Sequence, residues 1–192
     1  MGWSAQRKSA SRETILLAAG ELFATYGYEA VAIDRVMAHA GMTRGAFYAH
    51  FASKSDVYAE AMLLAGRRLL AQSVHQQMNF EEFVRAYLTP GQLPLAPLAC
   101  PLACLVTDTA QREARVKLVY EQLLAGFVSH LQRLNPQLNQ QQAQACACSL
   151  IGAQVVSRAV QSQSLAKTLL VSAQQVIMDQ FADAANCPNN LA

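Results

Sequence analysis

The chain has no stretch that stays apolar long enough to cross a bilayer. Its most hydrophobic run, Leu93 to Val106, falls short of the roughly 20 residues a spanning helix needs and is interrupted by Pro94, Pro97 and Pro101. It also lacks the opening of a secreted protein: Met1 to Arg12 is polar and basic, with no apolar core or small-residue cleavage site behind it. Gln6 stands where a myristoylation signal requires Ser or Thr. These absences point to a cytoplasmic protein with no membrane partner. Charge of one sign is scarce as well, since 15 Lys and Arg face 13 Asp and Glu for a net +2, too mild for a general basic coat. The five cysteines, Cys100, Cys104, Cys146, Cys148 and Cys187, are odd in number and suggest no disulfide framework; reduced thiols are expected. Constellations that carry catalysis are missing too. No nucleophile stands with a base, no acids are paired, no phosphate loop occurs, and His75 and His130 are isolated from metal-ligand partners. The chain is therefore expected not to be an enzyme and to need no metal or cofactor.

What remains is helical. Apolar residues make up 53% of the chain and charged ones 15%, and Ala, Leu and Gln are abundant while glycine and proline are sparse outside one loop. Residues 1 to 10 read as a mobile polar arm, after which Ile15, Ala19, Leu22, Phe23 and Tyr26 recur at helical spacing up to Gly27. Ile33, Val36, Met37 and Ala40 mark a second short helix that stops at Gly41, and Thr43 opens a third, with Phe47 and Phe51 as its apolar teeth. Ser53 with Asp56 has the form of a capping box starting a long helix, about 54 to 78. Further helices are expected over about 80–89, 101–111, 116–134, 139–161 and 165–184, with Pro90-Gly91, Pro94 and Pro97 marking a loop. No strand signal competes, so the fold class is all-α.

The segment Ala32 to His50 has the parts of a helix-turn-helix: a bracing helix, a tight turn with glycine, and a second helix with short and polar side chains to offer to the major groove. Ala38 and Ala40 permit close crossing, Gly41 the turn, and the Thr43 hydroxyl can cap the next helix, whose N-terminus suits phosphate. Arg44 has the fork that reads guanine, and Gly45 lets the backbone approach a base edge or a phosphate. Tyr48 and His50 suit phosphate contacts, with Lys54 adding charge at the next helix start. The N-terminal third leans basic: Arg7, Lys8, Arg12, Arg35, Arg44 and Lys54 stand against Glu13, Glu21, Glu29 and Asp34. A plain structural bundle or a protein-interaction module would leave the polar set from Thr43 to His50 without a purpose.

The run Ile15-x-x-Ala18-Ala19-x-x-Leu22-Phe23-x-x-x-Gly27-Tyr28, followed by Ile33-Asp34-Arg35-Val36-Met37-x-x-Ala40-Gly41-Met42-Thr43-Arg44-Gly45-Ala46-Phe47-Tyr48-x-His50-Phe51-x-Ser53-Lys54, closely resembles the N-terminal domain of TetR-family regulators. The match covers roughly the first third of the chain. The resemblance implies a helix-turn-helix head over residues 1–53 and a helical ligand-sensing and dimerisation body over 54–192. It further implies a homodimer on a palindromic operator in double-stranded DNA, acting as a repressor released by a small-molecule effector. Family roles place DNA contacts at Thr43, Arg44, Gly45, Tyr48, His50 and Lys54, which Arg35 joins as a DNA-binding candidate, and suggest that Phe83, Tyr87, Tyr120 and Phe127 line the effector cavity, although aromatic residues at helical spacing are usually plain core. One departure is Ala32, where the family usually has a capping Ser or Thr; the loss costs about 1 kcal/mol.

Within the body the sharpest local feature is Cys100-Pro-Leu-Ala-Cys104. If Pro101 opens a helix, Cys100 sits at its cap, where the dipole favours a thiolate, and Cys104 lies one turn on as a resolving thiol. The two cysteines therefore join the ligand-binding candidates, and redox or electrophile sensing is the alternative to an ordinary effector. A pair of small buried hydrophobes is the plainer reading. Cys146 and Cys148, two apart on a helix, diverge by some 200° and are expected not to share a metal.

Overall fold

A computed structural model of the chain describes residues 2–89 and 100–182. Every regular element among them is helical: α1 (Gly2–Ala30), α2 (Ile33–His39), α3 (Arg44–Phe47), α4 (Lys54–His75), α5 (Phe80–Leu88), α6 (Pro101–Cys104), α7 (Val106–Ala110), α8 (Ala114–Leu134), α9 (Gln140–Ala159) and α10 (Gln163–Phe181). The chain divides into two compact units, Met1–Arg68 with Pro97–Leu123, and Leu69–Ala96 with Leu124–Ala192. α4 and α8 contribute residues to both. None of the described helices is long and apolar enough to cross a membrane.

In the first unit, Ile15, Ala19, Leu22 and Phe23 of α1 face inward at the spacing the sequence shows, against Val36 and Met37 of α2, Phe47 of α3 and Val57, Tyr58 and Met62 of α4. Burying each such large side chain contributes about 1.5–3 kcal/mol, enough for short helices to hold together by packing that none could sustain alone. The rings of Phe23, Tyr28 and Tyr58 meet at centroid distances of 4.9–5.9 Å, with Tyr58 edge-on to the other two. α2 ends at Gly41, whose φ of 68° is left-handed. The Met42 N–H donates to the Met37 carbonyl at 2.9 Å and the Gly41 N–H to the Ala38 carbonyl at 3.1 Å, a Schellman closure that sets the tight turn.

Two local expectations are corrected. Residues 1–10 are not a free arm, because α1 starts at Gly2; after Gly2 the sequence holds good helix formers and no breaker, so the helix propagates to its end. The helix expected over 101–111 is interrupted at Leu105 (φ −113°, ψ 5°), leaving α6 with four residues and α7 with five. The buried Leu105 pivots the chain so that Asp108 meets the backbone of Tyr28 and Thr109 the hydroxyl of Tyr58.

In the second unit α5, α9 and α10 are capped by their own sequence. Asn79 with Glu82 and Asn139 with Gln142 form full capping boxes, and Ser162 Oγ accepts from the Leu165 N–H. Phe83, Tyr87, Phe127, Leu131, Cys146, Leu150 and Ile177 are buried there. Cys146 and Cys148 do diverge, the first fully buried with its thiol pushed up to about 12 by desolvation, the second exposed. Cys187 lies outside the described residues.

Candidate nucleic-acid interface

The helix-turn-helix candidate is built on one buried tooth. Phe47 is fully enclosed, and its neighbours on α3 and its caps point the other way: Thr43, Arg44, Gly45 and Tyr48 are exposed. Four polar or small residues around a single anchor give a helix that the core holds and the solvent sees. The N-cap residues of both helices are extended, Ala32 before α2 and Thr43 before α3, and neither side chain makes a capping bond. For Ala32 the sequence requires this. For Thr43 it corrects an expectation: the hydroxyl does not cap α3.

Arg44 is exposed but engaged. Its guanidinium Nη1 donates to Asp34 Oδ2 at 2.9 Å, an ion pair between α3 and α2 with both side chains more than 60% exposed. At that exposure the pair is worth about 0–1 kcal/mol, so it orients the guanidinium without locking it. A Cβ built on Gly45 would meet nothing within 4 Å. Packing within the fold therefore does not require glycine there. The Tyr48 ring stands edge-on to Phe47 at 5.3 Å, which fixes its direction while the side chain stays exposed.

The remaining basic candidates are held more tightly. His50 is half-buried, with Nδ1 enclosed and unpartnered, and desolvation, then Lys8 and Arg12, lower its pKa below the ordinary imidazole value. Lys54 places Nζ 4.2 Å from the centroid of the Tyr28 ring. Burial is the main cause of its lowered pKa, with Arg112 acting in the same sense and Glu29 and Asp108 opposing. Arg112 covers the same ring at 4.4 Å and pairs with Glu29 at 2.8 Å. Arg35 stacks on Tyr26 at 3.8 Å, beside a surface groove of about 410 Å³ that also borders Glu21 and His39. All seven DNA-contact candidates lie in the first unit. Ser53 Oγ caps α4 by accepting from the Asp56 N–H at 3.1 Å, as expected, while the Asp56 carboxylate pairs with Arg115.

The effector candidates separate. Phe83, Tyr87 and Phe127 belong to the second unit and form one aromatic cluster with ring centroids 5.4–6.0 Å apart. His130 joins it edge-on to Phe83 at 5.0 Å, its Nε2 bonded to Ser73 Oγ at 3.0 Å. Burial lowers the His130 pKa to about 4, with Arg133 a lesser cause, so the ring is neutral. An isolated histidine in the sequence gave no sign of this pairing across 57 residues. Cys100, Cys104 and Tyr120 lie in the first unit instead. There the Tyr120 hydroxyl donates to the Leu102 carbonyl at 2.7 Å and braces α6. Cys100 is buried at the cap of α6, and the Cys104 N–H donates to its carbonyl at 3.0 Å. Four residues of helix make a weak dipole, so little of the stabilisation expected for a thiolate is on offer.

Comparison with known proteins identifies the N-terminal segment. Residues 15–61 match the family described as bacterial regulatory proteins, tetR family. The chain is 30% identical over 110 residues to the HTH-type transcriptional regulator AcrR of Shigella flexneri, covering 57% of this chain and 46% of that protein. It is 42% identical over 48 residues to the HTH-type transcriptional repressor BepR of Brucella suis biovar 1 (strain 1330), covering 25% and 23%. The matched region thus spans less than half the length of either relative. The fold reaches further: a solved TetR-family transcriptional regulator from Cytophaga hutchinsonii superimposes with a TM-score of 0.71 at 15% identity, covering 91% of this chain and 96% of that one.

Proposed function

We infer that this chain, whose residues 15–61 match the tetR family of bacterial regulatory proteins, is a TetR-type transcriptional regulator that binds double-stranded DNA through α2 and α3. The observation that carries this reading is the exposure of Thr43, Arg44, Gly45 and Tyr48 around the fully buried Phe47. A helix anchored by one aromatic residue and otherwise free can enter a major groove without disturbing its own core. Arg44 then reads guanine, Thr43 and Tyr48 donate to phosphates, Gly45 allows close approach, and His50, Lys54 and Arg35 add backbone contacts. Titration of a random-sequence duplex pool in a mobility-shift assay at rising salt tests the reading. A regulator gives salt-dependent complexes that enrich a particular sequence; the absence of any sequence-selective complex sinks it.

A homodimer on a palindromic operator completes the reading. Val156 on α9 and Leu165, Val171 and Val176 on α10 are 47–60% exposed, an apolar surface that a second copy of α9 and α10 would cover as a four-helix interface. Val171→Asp with Val176→Asp should give monomers by light scattering, and a double variant that remains dimeric would rule this face out. For the sensing half, the Phe83, Tyr87 and Phe127 cluster supports an effector site in the second unit. An effector that favours the DNA-incompetent state releases the operator by its differential affinity for the two states. Repression, the role in the name of the Brucella relative, is the matching output, exerted in the cytoplasm where the DNA is.

A further inference from the structure

Lys8 lies ahead of the segment shared with the family, which begins at residue 15. Because α1 starts at Gly2, Lys8 and Arg12 stand four residues apart on one helical face. Arg12 shows where that face points: its guanidinium lies 4.9 Å over the ring of Phe51, and the Phe51 ring lies 6.2 Å from that of His50. Arg12 is already paired with Glu60. Lys8, one turn earlier, is exposed and has no carboxylate partner among the described residues. His50 encloses its Nδ1, so Nε2 is the ring nitrogen left to the outside, and Lys8 and Arg12 both bear on its protonation. Lys8 and Arg12 thus share the face of α1 that meets Phe51 beside His50, three residues beyond the end of α3, where Glu60 is the carboxylate paired with Arg12.

We propose that Lys8 joins Nε2 of His50 in holding one phosphate of the DNA backbone, adding from ahead of the family segment a charge to the contact that His50 makes within it. It rests on the DNA-binding reading above. A phosphodiester carries the single negative charge that this corner lacks. Lys8 supplies a point charge and a neutral His50 a directed N–H, while Arg12, neutralised by Glu60, positions α1 against Phe51. Contact from α1 fixes the angle of the head on the duplex without reading a base.

The test uses the full chain and the duplex that the wild-type protein enriches from a random pool, with affinity measured by fluorescence anisotropy between 50 and 300 mM salt. Lys8→Gln should reduce the slope of log K against log salt by about 0.9 for each lysine lost, leaving base preference and thermal stability unchanged, and Lys8→Arg should restore the slope. His50→Gln at pH 7.5 should weaken binding several-fold with the slope intact, because a neutral group leaves. An unchanged slope in Lys8→Gln, with wild-type binding normal, overturns the proposal. Failure of the wild-type protein to enrich any duplex overturns the DNA-binding reading instead, and this contact with it.

Discussion

The carboxylate of Asp108 accepts a hydrogen bond from the backbone N–H of Tyr28 at 2.8 Å, across 80 residues of sequence. The bond exists because α1 breaks at Gly27, where φ is 77° and ψ 168°, and the first N–H after the break needs an acceptor. The same carboxylate lies so close to Gly27 that a Cβ there would stand 3.1 Å from Oδ2. Around this point Arg112 pairs with Glu29, Lys54 and Arg112 both lie over the Tyr28 ring, and the Tyr28 hydroxyl meets Ser55 at 2.9 Å. The start of α4 and the end of α1 are thereby held by α7.

Gly27→Ala should destabilise the protein by about 1–3 kcal/mol, because this backbone region is nearly glycine-only and the new methyl crowds Asp108. Asp108→Ala should cost about the same by leaving the Tyr28 N–H unsatisfied, whereas Asp108→Asn, which keeps an acceptor, should cost less. Urea unfolding checks all three; equal effects from Ala and Asn at 108 would argue that the bond is not what stabilises the junction.

Arg44→Ala should relax base preference at one operator position by about 1–3 kcal/mol. Asp34→Asn acts in the opposite sense: with the 2.9 Å pair gone, Arg44 no longer exchanges a carboxylate for a base, and DNA binding should tighten by up to about 1 kcal/mol. Competition assays with single-base operator variants measure both. Equal, sequence-independent losses from Arg44→Ala would count against its role as a reader.

Lys54→Ala should weaken all sequences evenly and reduce the salt slope by about 0.9 per site. Lys54 also covers Tyr28, so the variant should lose a few tenths of a kcal/mol of stability, up to about 1 kcal/mol, as a cation–π contact is removed. A change in base preference without a change in slope would show that Lys54 is not a phosphate contact.

His130 sets a pH dependence of stability. Burial holds its pKa at about 4 in the folded chain against 6.5 in the unfolded one, so the unfolded state takes up the proton first as pH falls. The contribution is intact above pH 6.5 and is lost between 6.5 and 4, approaching about 3 kcal/mol at the lower end. Melting temperatures from pH 7.5 to 4.5 should fall more steeply in the wild type than in His130→Gln. Parallel curves would mean that His130 is solvated in the folded state.

Helices, turns and the exposed set on α3 were legible in the sequence because each depends on residues three or four apart. The spacing of Ile15, Ala19, Leu22 and Phe23 marks an inward face, Gly41 marks a turn, and Phe47 among Thr43, Arg44, Gly45 and Tyr48 marks a helix with one anchor. The helical start of α1, the break at Leu105 and the non-capping hydroxyl of Thr43 escaped that reading, since local signals there were neutral or allowed more than one outcome. The grouping of Cys100, Cys104 and Tyr120 with the N-terminal unit, apart from Phe83, Tyr87 and Phe127, is a matter of which helices pack. So are the Asp108–Tyr28 bond, the Arg44–Asp34 pair and the burial of His130 against Ser73. The sequence by itself determined most of the helices and which short face of α3 is exposed, because backbone hydrogen bonding and periodicity are local. Tertiary structure alone decided which charges are spent inside the fold and which remain available, because pairing charges tens of residues apart depends on how the helices come together.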